Sequence, residues 1–375
     1  MDKKRKIGII YSNDDNWIGG KYYLDSVISI LSNSNLFDVF ILSNKRKVDK
    51  LKFIKYENNI FDIFFEKISW KFNILTKIYF NIFRNNMYSK LQHLDVIFPA
   101  ESNYLFNKLA DSKKIFWIPD FQENYYPSFF LKKEITSRII MQVNTVYSKS
   151  KLILSSNAVY NDLVRIYPHY TCDIEIVPFV SSIFLKKEDI LPYEQIKNKY
   201  NIQSTYFICS NQFWIHKNHI VVIKAVSLLK KENIKVIVYF TGKEYDHRDS
   251  DYSMKLKNLV AELNLSENVF FLGFIPRNEQ LTLMRYSQAI IQPSLYEGWN
   301  TSIEDAKYLS KEIILSDIEV HKEQLNDRGY YFDPNNAFAL SVILKNFLIK
   351  ENLSVDYSYK NAYFEFTRKI VDIFS

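Results

Sequence analysis

The chain has 375 residues, 47% of them hydrophobic and 16% aromatic, with only seven glycines and nine prolines. Such a supply of apolar side chains suits two buried cores and excludes a disordered, collagenous or low-complexity protein. The formal charge of +7 could serve a phosphate-bearing ligand or an anionic lipid surface, but no basic cluster interleaved with stacking aromatics points to nucleic acid. Cys172 and Cys209 stand far apart and in no CxxC, so neither a disulfide framework nor a zinc site is expected and a reducing compartment fits.

The first six residues are basic, but the apolar run over 7–11 is too short for a secretory leader, and no stretch reaches the length of a membrane span. A cytoplasmic protein, soluble or peripheral on a membrane, is expected. Residues 6–11 read as a buried strand. A polar loop ending in Gly19 and Gly20 follows, then a helical period in which Tyr22, Val27, Ile28 and Leu31 are apolar. Strand, Gly-Gly, helix is a Rossmann-like opening. The two glycines either let a ligand approach the backbone or simply turn the chain into the helix. The absence of GxGxxG leaves no case for a dinucleotide.

Residues 37–42 are a second strand. Residues 60–83 mix aromatic and aliphatic side chains with Lys67, Lys71 and Lys77. They suit either an interfacial helix on an anionic membrane, extending over 60–90, or amphipathic helices packed on the sheet. Apolar residues surround the helix rather than forming one stripe, which favours packing. Strands are predicted over 94–99 and 114–119. The second runs into Pro119-Asp120-Phe121-Gln122-Glu123, a polar loop beyond the carboxyl end of a strand, where open α/β sheets take ligands. Asp120 is equally readable as a turn residue. Strands over 152–155 and 174–179 close the first half, with Ser156 placed to cap a helix over 158–167. The interdomain linker is expected within 181–192.

In the second half, strands over 205–209, 235–240, 269–272, 289–291 and 313–316 alternate with helical segments and short loops. The pattern predicts a parallel, doubly wound sheet. Its loops carry Asn211, His216, Lys217, His219, Gly242 and Lys243. The HxxH spacing of 216 and 219 is a weak zinc signal, and ordinary surface or hydrogen-bonding histidines are the simpler expectation; no metal is expected. A terminal helix is predicted within 355–374.

The most informative stretch is 292–306, Gln-Pro-Ser-Leu-Tyr-Glu-Gly-Trp-Asn-Thr-Ser-Ile-Glu-Asp-Ala. A strand, a loop punctuated by Pro293 and Gly298, and a helix starting at Thr301 with Glu304 in capping-box spacing make a place where backbone N–H groups and the helix dipole face an anion. Glu297 and Asp305 add carboxylates that accept from hydroxyls, a combination suited to a nucleotide-linked sugar. Alone, the pair is also compatible with a capped helix bearing two solvated charges.

Glu297 followed eight residues later by Asp305 resembles the E-x7-E motif of the retaining glycosyltransferases of family 4, and EGWNTSIEDAK, ILSDIEVHKEQ and PDFQ resemble a subgroup of it. The resemblance is dense over 206–335 and implies two Rossmann-like doubly wound domains facing a cleft, the GT-B arrangement. These would be an acceptor-side domain at 1–182, a nucleotide-sugar domain at 183–356, and a helix at 357–375 crossing back. It implies a catalytic set of Glu297 on the donor sugar, Lys217 on the diphosphate, and Asp120 and Glu123 near the reacting centre. It further implies Asp305 on the ribose, Gly298, Trp299, Asn300, Thr301 and Ser302 on sugar and phosphate, and Gly19, Gly20, Asn211 and Gly242 lining the cleft. Expected partners are a nucleotide diphosphate sugar and a glycan or lipid-linked glycan acceptor, with no further cofactor. Three departures stand out: Asp305 for Glu, Glu123 where the subgroup has histidine, and Asn211 where the family has arginine. The last two also motivate an alternative, a catalytically silent partner protein on the same fold.

Overall fold

The computed structural model describes residues 3–11, 17–43, 52–56, 73–181, 190–202, 205–351 and 354–375. Strands β1 (Arg5–Ile10), β2 (Phe37–Ser43), β3 (Lys52–Lys55) and β4 (Val96–Phe98) form a parallel sheet in the order β3-β2-β1-β4. Strands β5 (Ile115–Ile118), β6 (Lys151–Leu154) and β7 (Asp173–Ile176) extend it. A parallel bridge between Ile97 and Lys114 and a 2.7 Å bond from the Ala100 N–H to the Ile115 carbonyl join β4 to β5. A second parallel sheet contains β8 (Phe207–Ser210), β9 (Val238–Thr241), β10 (Val269–Phe271), β11 (Ile290–Gln292), β12 (Ile313–Ser316) and β13 (Tyr330–Phe332), ordered β10-β9-β8-β11-β12-β13. In each sheet the strand order reverses beside the first strand, between β1 and β4 and between β8 and β11. The crevice outside the carboxyl ends at such a reversal is where doubly wound sheets take ligands.

Strands β8 and β12 are buried along their whole length, because helices cover both faces of the sheet. The helix Ile18–Asn33 turns Leu24, Val27, Ile28 and Leu31, one stripe at helical spacing, into the first core. The helix Tyr359–Phe374 adds Phe366, Ile370 and Phe374 to that same core. The Phe374 ring meets Phe98 edge-on at 5.5 Å, and Arg5 Nη1 donates to the Phe374 carbonyl at 3.1 Å. A fully buried ring of this kind is worth about 1.5–3 kcal/mol, which holds the end of the chain on the first sheet. Ser156 caps the helix Asn157–Ile166, its Oγ accepting from the Val159 N–H at 3.1 Å.

Several elements escape the sequence pattern. β3, with exposed lysines at both ends, is an edge strand without a buried face. β13 is three residues long, too short for alternation to register. The helix Lys132–Val146 exposes Ile139, Ile140 and Val143 while burying Gln142 and Thr145, which inverts the expected period. Most of the expected linker, 182–189, and residues 60–72 of the expected interfacial segment lie outside the described residues. The helix Asn73–Phe83 that follows buries Tyr79 and exposes Ile78, Ile82 and Phe83. Among the described residues no helix is long and apolar enough to cross a membrane.

Candidate active site

A cleft of about 970 Å³ lies between the two sheets, lined by loops from the carboxyl ends of both. On the second sheet, β8 runs into a short 3-10 turn, Ile215–Lys217, closed by Asn218 in the left-handed region at φ 54°. Asn218 Nδ2 donates to the Pro293 and Pro334 carbonyls at 3.1 and 2.8 Å, and the Leu295 N–H donates to the His216 carbonyl at 2.8 Å. These bonds lock the loop after β8 to the loop after β11. The result is an ion pair between Lys217 Nζ and Glu297 Oε1 at 2.5 Å, both side chains largely shielded from solvent. Ser294 Oγ (2.7 Å) and Asn300 Nδ2 (3.2 Å) donate to the same Oε1. Three donors therefore fix one oxygen, and no described residue bonds Oε2, which leaves it available to a ligand hydroxyl.

The helix Thr301–Tyr308 begins where the sequence places it, but Thr301 and Glu304 do not form its cap. Asn300 is the N-cap, its Oδ1 accepting from the Ser302 and Ile303 N–H groups at 3.0 and 3.2 Å. Glu304 is buried one turn in, where Lys307 and Gln324 donate to it at 3.0 Å each and burial raises its carboxyl above the ordinary range. Gln324 also accepts from the Asn300 N–H at 3.1 Å. The N–H groups of Asn300 and Ser302 are thus already occupied. Those of Gly298, Trp299 and Thr301 meet no acceptor among the described residues and remain for an anion.

Asp305 receives Arg277 Nη2 at 2.5 Å and Ser181 Oγ at 2.5 Å. Arg277 lies over the Tyr22 ring, 5.0 Å from its centroid, and lines the cleft. Nothing in the local sequence places Arg277 at the cleft; its one local mark is that an arginine opening the helix Arg277–Tyr286 opposes the helix dipole. Asn211 is buried at the cleft wall with no cation at its position. The charge on this side comes instead from Lys217, Lys243, Arg248 and Arg277. Arg248 is gripped by Asp246 through two bonds of 2.8 and 3.0 Å and sits between the Trp214 and Phe130 rings. Gly242 has φ +152°, and a Cβ there would lie 2.0 Å from the Asn211 carbonyl oxygen, so glycine is required for the two loops to pass.

The histidines are not surface groups. His216 is buried at the cleft wall with Nδ1 unpartnered, and burial beside Lys217 and Arg248 pushes its pKa well below the usual value. His219 is buried against Phe213, ring centroids 4.7 Å apart, with neither ring nitrogen bonded. No group of potential metal ligands occurs among the described residues.

On the other side, Asp120 and Glu123 are brought together by one guanidinium. Arg138 Nη2 reaches Asp120 Oδ1 at 2.5 Å and Arg138 Nε reaches Glu123 Oε2 at 2.7 Å. Glu123 is buried, takes a further bond from Gln142 at 2.5 Å, and does not line the cleft; Asp120 and Arg138 do. Glu123 thus fixes the orientation of Arg138, with its own carboxylate held away from the cleft. Gly20 likewise serves a side chain: a Cβ there would lie 2.5 Å from the Trp17 ring. Gly19 faces Thr301 across the cleft with its Cβ position 3.5 Å from Thr301 Cγ2. Gly298 is where the two halves touch, because a Cβ would lie 1.9 Å from the Pro119 carbonyl oxygen. Around it, Ser156 Oγ donates to the Gly298 carbonyl at 2.9 Å, Tyr296 donates to Asp162 at 2.6 Å, and Trp299 Nε1 donates to the Phe179 carbonyl at 2.9 Å.

Residues 192–363, which contain Lys217, Arg277, Glu297 and Asp305, match the family described as Glycosyl transferases group 1. The match spans the whole second sheet and is confined to that part of the chain. Across 229 residues, 61% of this chain, the protein is 27% identical to the O-antigen chain mannosyltransferase RfbU of Salmonella typhimurium, and it spans 59% of that relative's length. The HepE protein of Anabaena, solved with UDP and glucose, superposes with a TM-score of 0.70 at 12% identity over 98% of this chain and 97% of its own. WaaG, a glycosyltransferase of lipopolysaccharide biosynthesis, gives 0.66 at 12% identity over 97% and 94%. At such identities the structures establish the fold alone, which is GT-B: two Rossmann-like sheets, with the matched segment 192–363 forming one wall of the cleft.

Proposed function

We propose that the protein is a retaining glycosyltransferase that moves a sugar from a nucleotide diphosphate sugar to a hydroxyl of a glycan or lipid-linked glycan, in the assembly of a polysaccharide. The observation that carries this reading is the Lys217–Glu297 pair beside the open N–H groups of Gly298, Trp299 and Thr301. The diphosphate sits against Lys217 and the start of the helix Thr301–Tyr308, where a fixed cation and aligned N–H groups stabilise the charge that develops on the leaving group. Glu297 Oε2 accepts from a hydroxyl of the donor sugar. The bond from the anomeric carbon to the phosphate oxygen breaks, the bond from that carbon to the acceptor oxygen forms on the same face, and the acceptor proton passes to the departing phosphate. Four cationic side chains on the transferase wall supply the neutralising charge. The reaction is accordingly proposed to need no metal, and chelator leaves the rate unchanged.

Asp305 takes the ribose hydroxyls through Oδ2, with Oδ1 held by Arg277 and Ser181. Similarity to RfbU motivates a panel of donors that begins with mannose conjugates. The test is transfer by the purified chain from a panel of nucleotide sugars, with Glu297→Gln alongside. Turnover of one donor with the anomer retained, and loss of transfer in the variant, support the reading. Undiminished transfer by Glu297→Gln sinks the site assignment.

A further inference from the structure

The wall of the cleft opposite the transferase domain has its own chemistry. Trp17 precedes the helix Ile18–Asn33 and its indole stacks on Trp117, centroids 4.9 Å apart and planes 21° apart. It lies flush on Gly20, the Cβ-free position beneath it. Both indoles line the cleft, and Trp17 is 36% exposed. A large flat ring left partly open on a concave surface, backed by a second ring that fixes its angle, is a binding surface and not a core residue. Such a platform matches the apolar C–H face of a sugar ring, and its rigidity keeps the entropy cost of binding low.

Beside it stands Asp120. Its Oδ1 is held by Arg138 Nη2 at 2.5 Å and the Gln122 N–H at 3.2 Å, while no described residue bonds Oδ2. An oriented carboxylate with one open oxygen is an acceptor for a hydroxyl. The charges divide by wall. Among the described lining residues up to Phe179, the carboxylates of Glu101, Asp120 and Glu134 stand with one guanidinium, Arg138, whereas the opposite wall carries Lys217, Lys243, Arg277 and the Asp246-paired Arg248 with Glu297 and Asp305. The donor's phosphates are drawn to one wall, and an anion on the other meets like charge.

We propose that the acceptor's reacting unit is an uncharged sugar, stacked on Trp17 with a hydroxyl on Asp120 Oδ2, and that this wall discriminates against phosphorylated and carboxylated sugars. The proposal rests on the transferase reading of the cleft and specifies its second substrate. The test is transfer from saturating donor to matched acceptors: neutral hexosides and oligosaccharide glycosides, their 6-phosphates, and their uronic acid counterparts. Donor binding is followed separately as a thermal shift, and donor hydrolysis as release of free sugar. The neutral acceptors are expected to exceed the anionic ones by about tenfold or more in kcat/KM. Trp17→Ala is expected to raise the acceptor KM about tenfold while leaving the donor-induced thermal shift intact, and Trp17→Phe to restore most of the loss.

Equal or better use of a 6-phosphate overturns the proposal. So does an unchanged acceptor KM in Trp17→Ala, or donor hydrolysis with no transfer to any neutral sugar. If no nucleotide sugar shifts the wild-type midpoint, the transferase reading fails first, and the proposal falls with it.

Discussion

Glu297 is held by one oxygen and open at the other, and that asymmetry predicts how its variants behave. Glu297→Gln keeps the shape but removes the charge that pairs with Lys217. On the proposed transferase reading, Lys217 is then left uncompensated against the donor phosphates, so donor binding is expected to be retained while transfer falls on the order of 100-fold, the usual cost of one polar contact made at the transition state. Steady-state kinetics with parallel binding measurements separate the two effects. Asn300→Ala tests the support beneath. It removes the cap of the helix Thr301–Tyr308 together with the bonds to Glu297 and Gln292, and costs about 0.5–2 kcal/mol for the cap alone. The expected outcome is a lower urea midpoint together with a loss of rate, because the N–H groups of Ser302 and Ile303 lose their acceptor.

At the scale of elements, the contact between Gly298 and Pro119 sets how closely the two walls approach. A methyl group at position 298 would lie 1.9 Å from the Pro119 carbonyl oxygen, so Gly298→Ala forces the loops apart. The variant is expected to keep the far-ultraviolet dichroism of both sheets and to lose transfer, with the Tyr296–Asp162 bond disrupted as the walls separate. The strand–loop–helix order around this contact is readable in the sequence, because β11, the Pro293–Gly298 loop and the capped helix each carry local signals. Thr301 and Glu304 mimic a capping box in the sequence, while the true cap, Asn300, lies one residue earlier. Arg277, Arg248 and Arg138 were not readable as cleft residues. Their positions depend on Asp305, Asp246 and Glu123 reached through the fold, and separation along the chain carries no such geometry. Glu123 illustrates the same limit from the other direction, since its loop reaches the cleft while its own carboxylate points away to Arg138 and Gln142.

For the whole molecule, three buried histidines predict acid sensitivity. Burial pushes His219 and His321 to about 3 and His216 well below the usual value of 6.5. Below pH 6.5 the unfolded chain takes up protons that the folded protein refuses. Stability is therefore full above that pH and is lost as pH falls toward 3, by up to about 1.4 kcal/mol per pH unit for each histidine. Most carboxylates stay ionised between about pH 6.5 and 5, so the loss in that window belongs to the histidines. Urea midpoints across it should fall, and His219→Phe, which keeps the stack on Phe213, should flatten the slope. The two walls are otherwise held by a few bonds around Tyr296, Trp299 and Ser156 and by the chain-terminal helix, which leaves the cleft open between them. The most direct test of the central claim is the thermal midpoint of the purified chain against nucleoside diphosphates and their sugar conjugates, in the wild type and in Lys217→Ala. A ligand bound only to the folded state must raise the midpoint. One nucleotide and its conjugates are expected to stabilise the wild type, and Lys217→Ala is expected to abolish most of the shift. No shift with any of them, or an equal shift in the variant, would contradict the central claim and leave the protein as a silent partner on a transferase fold.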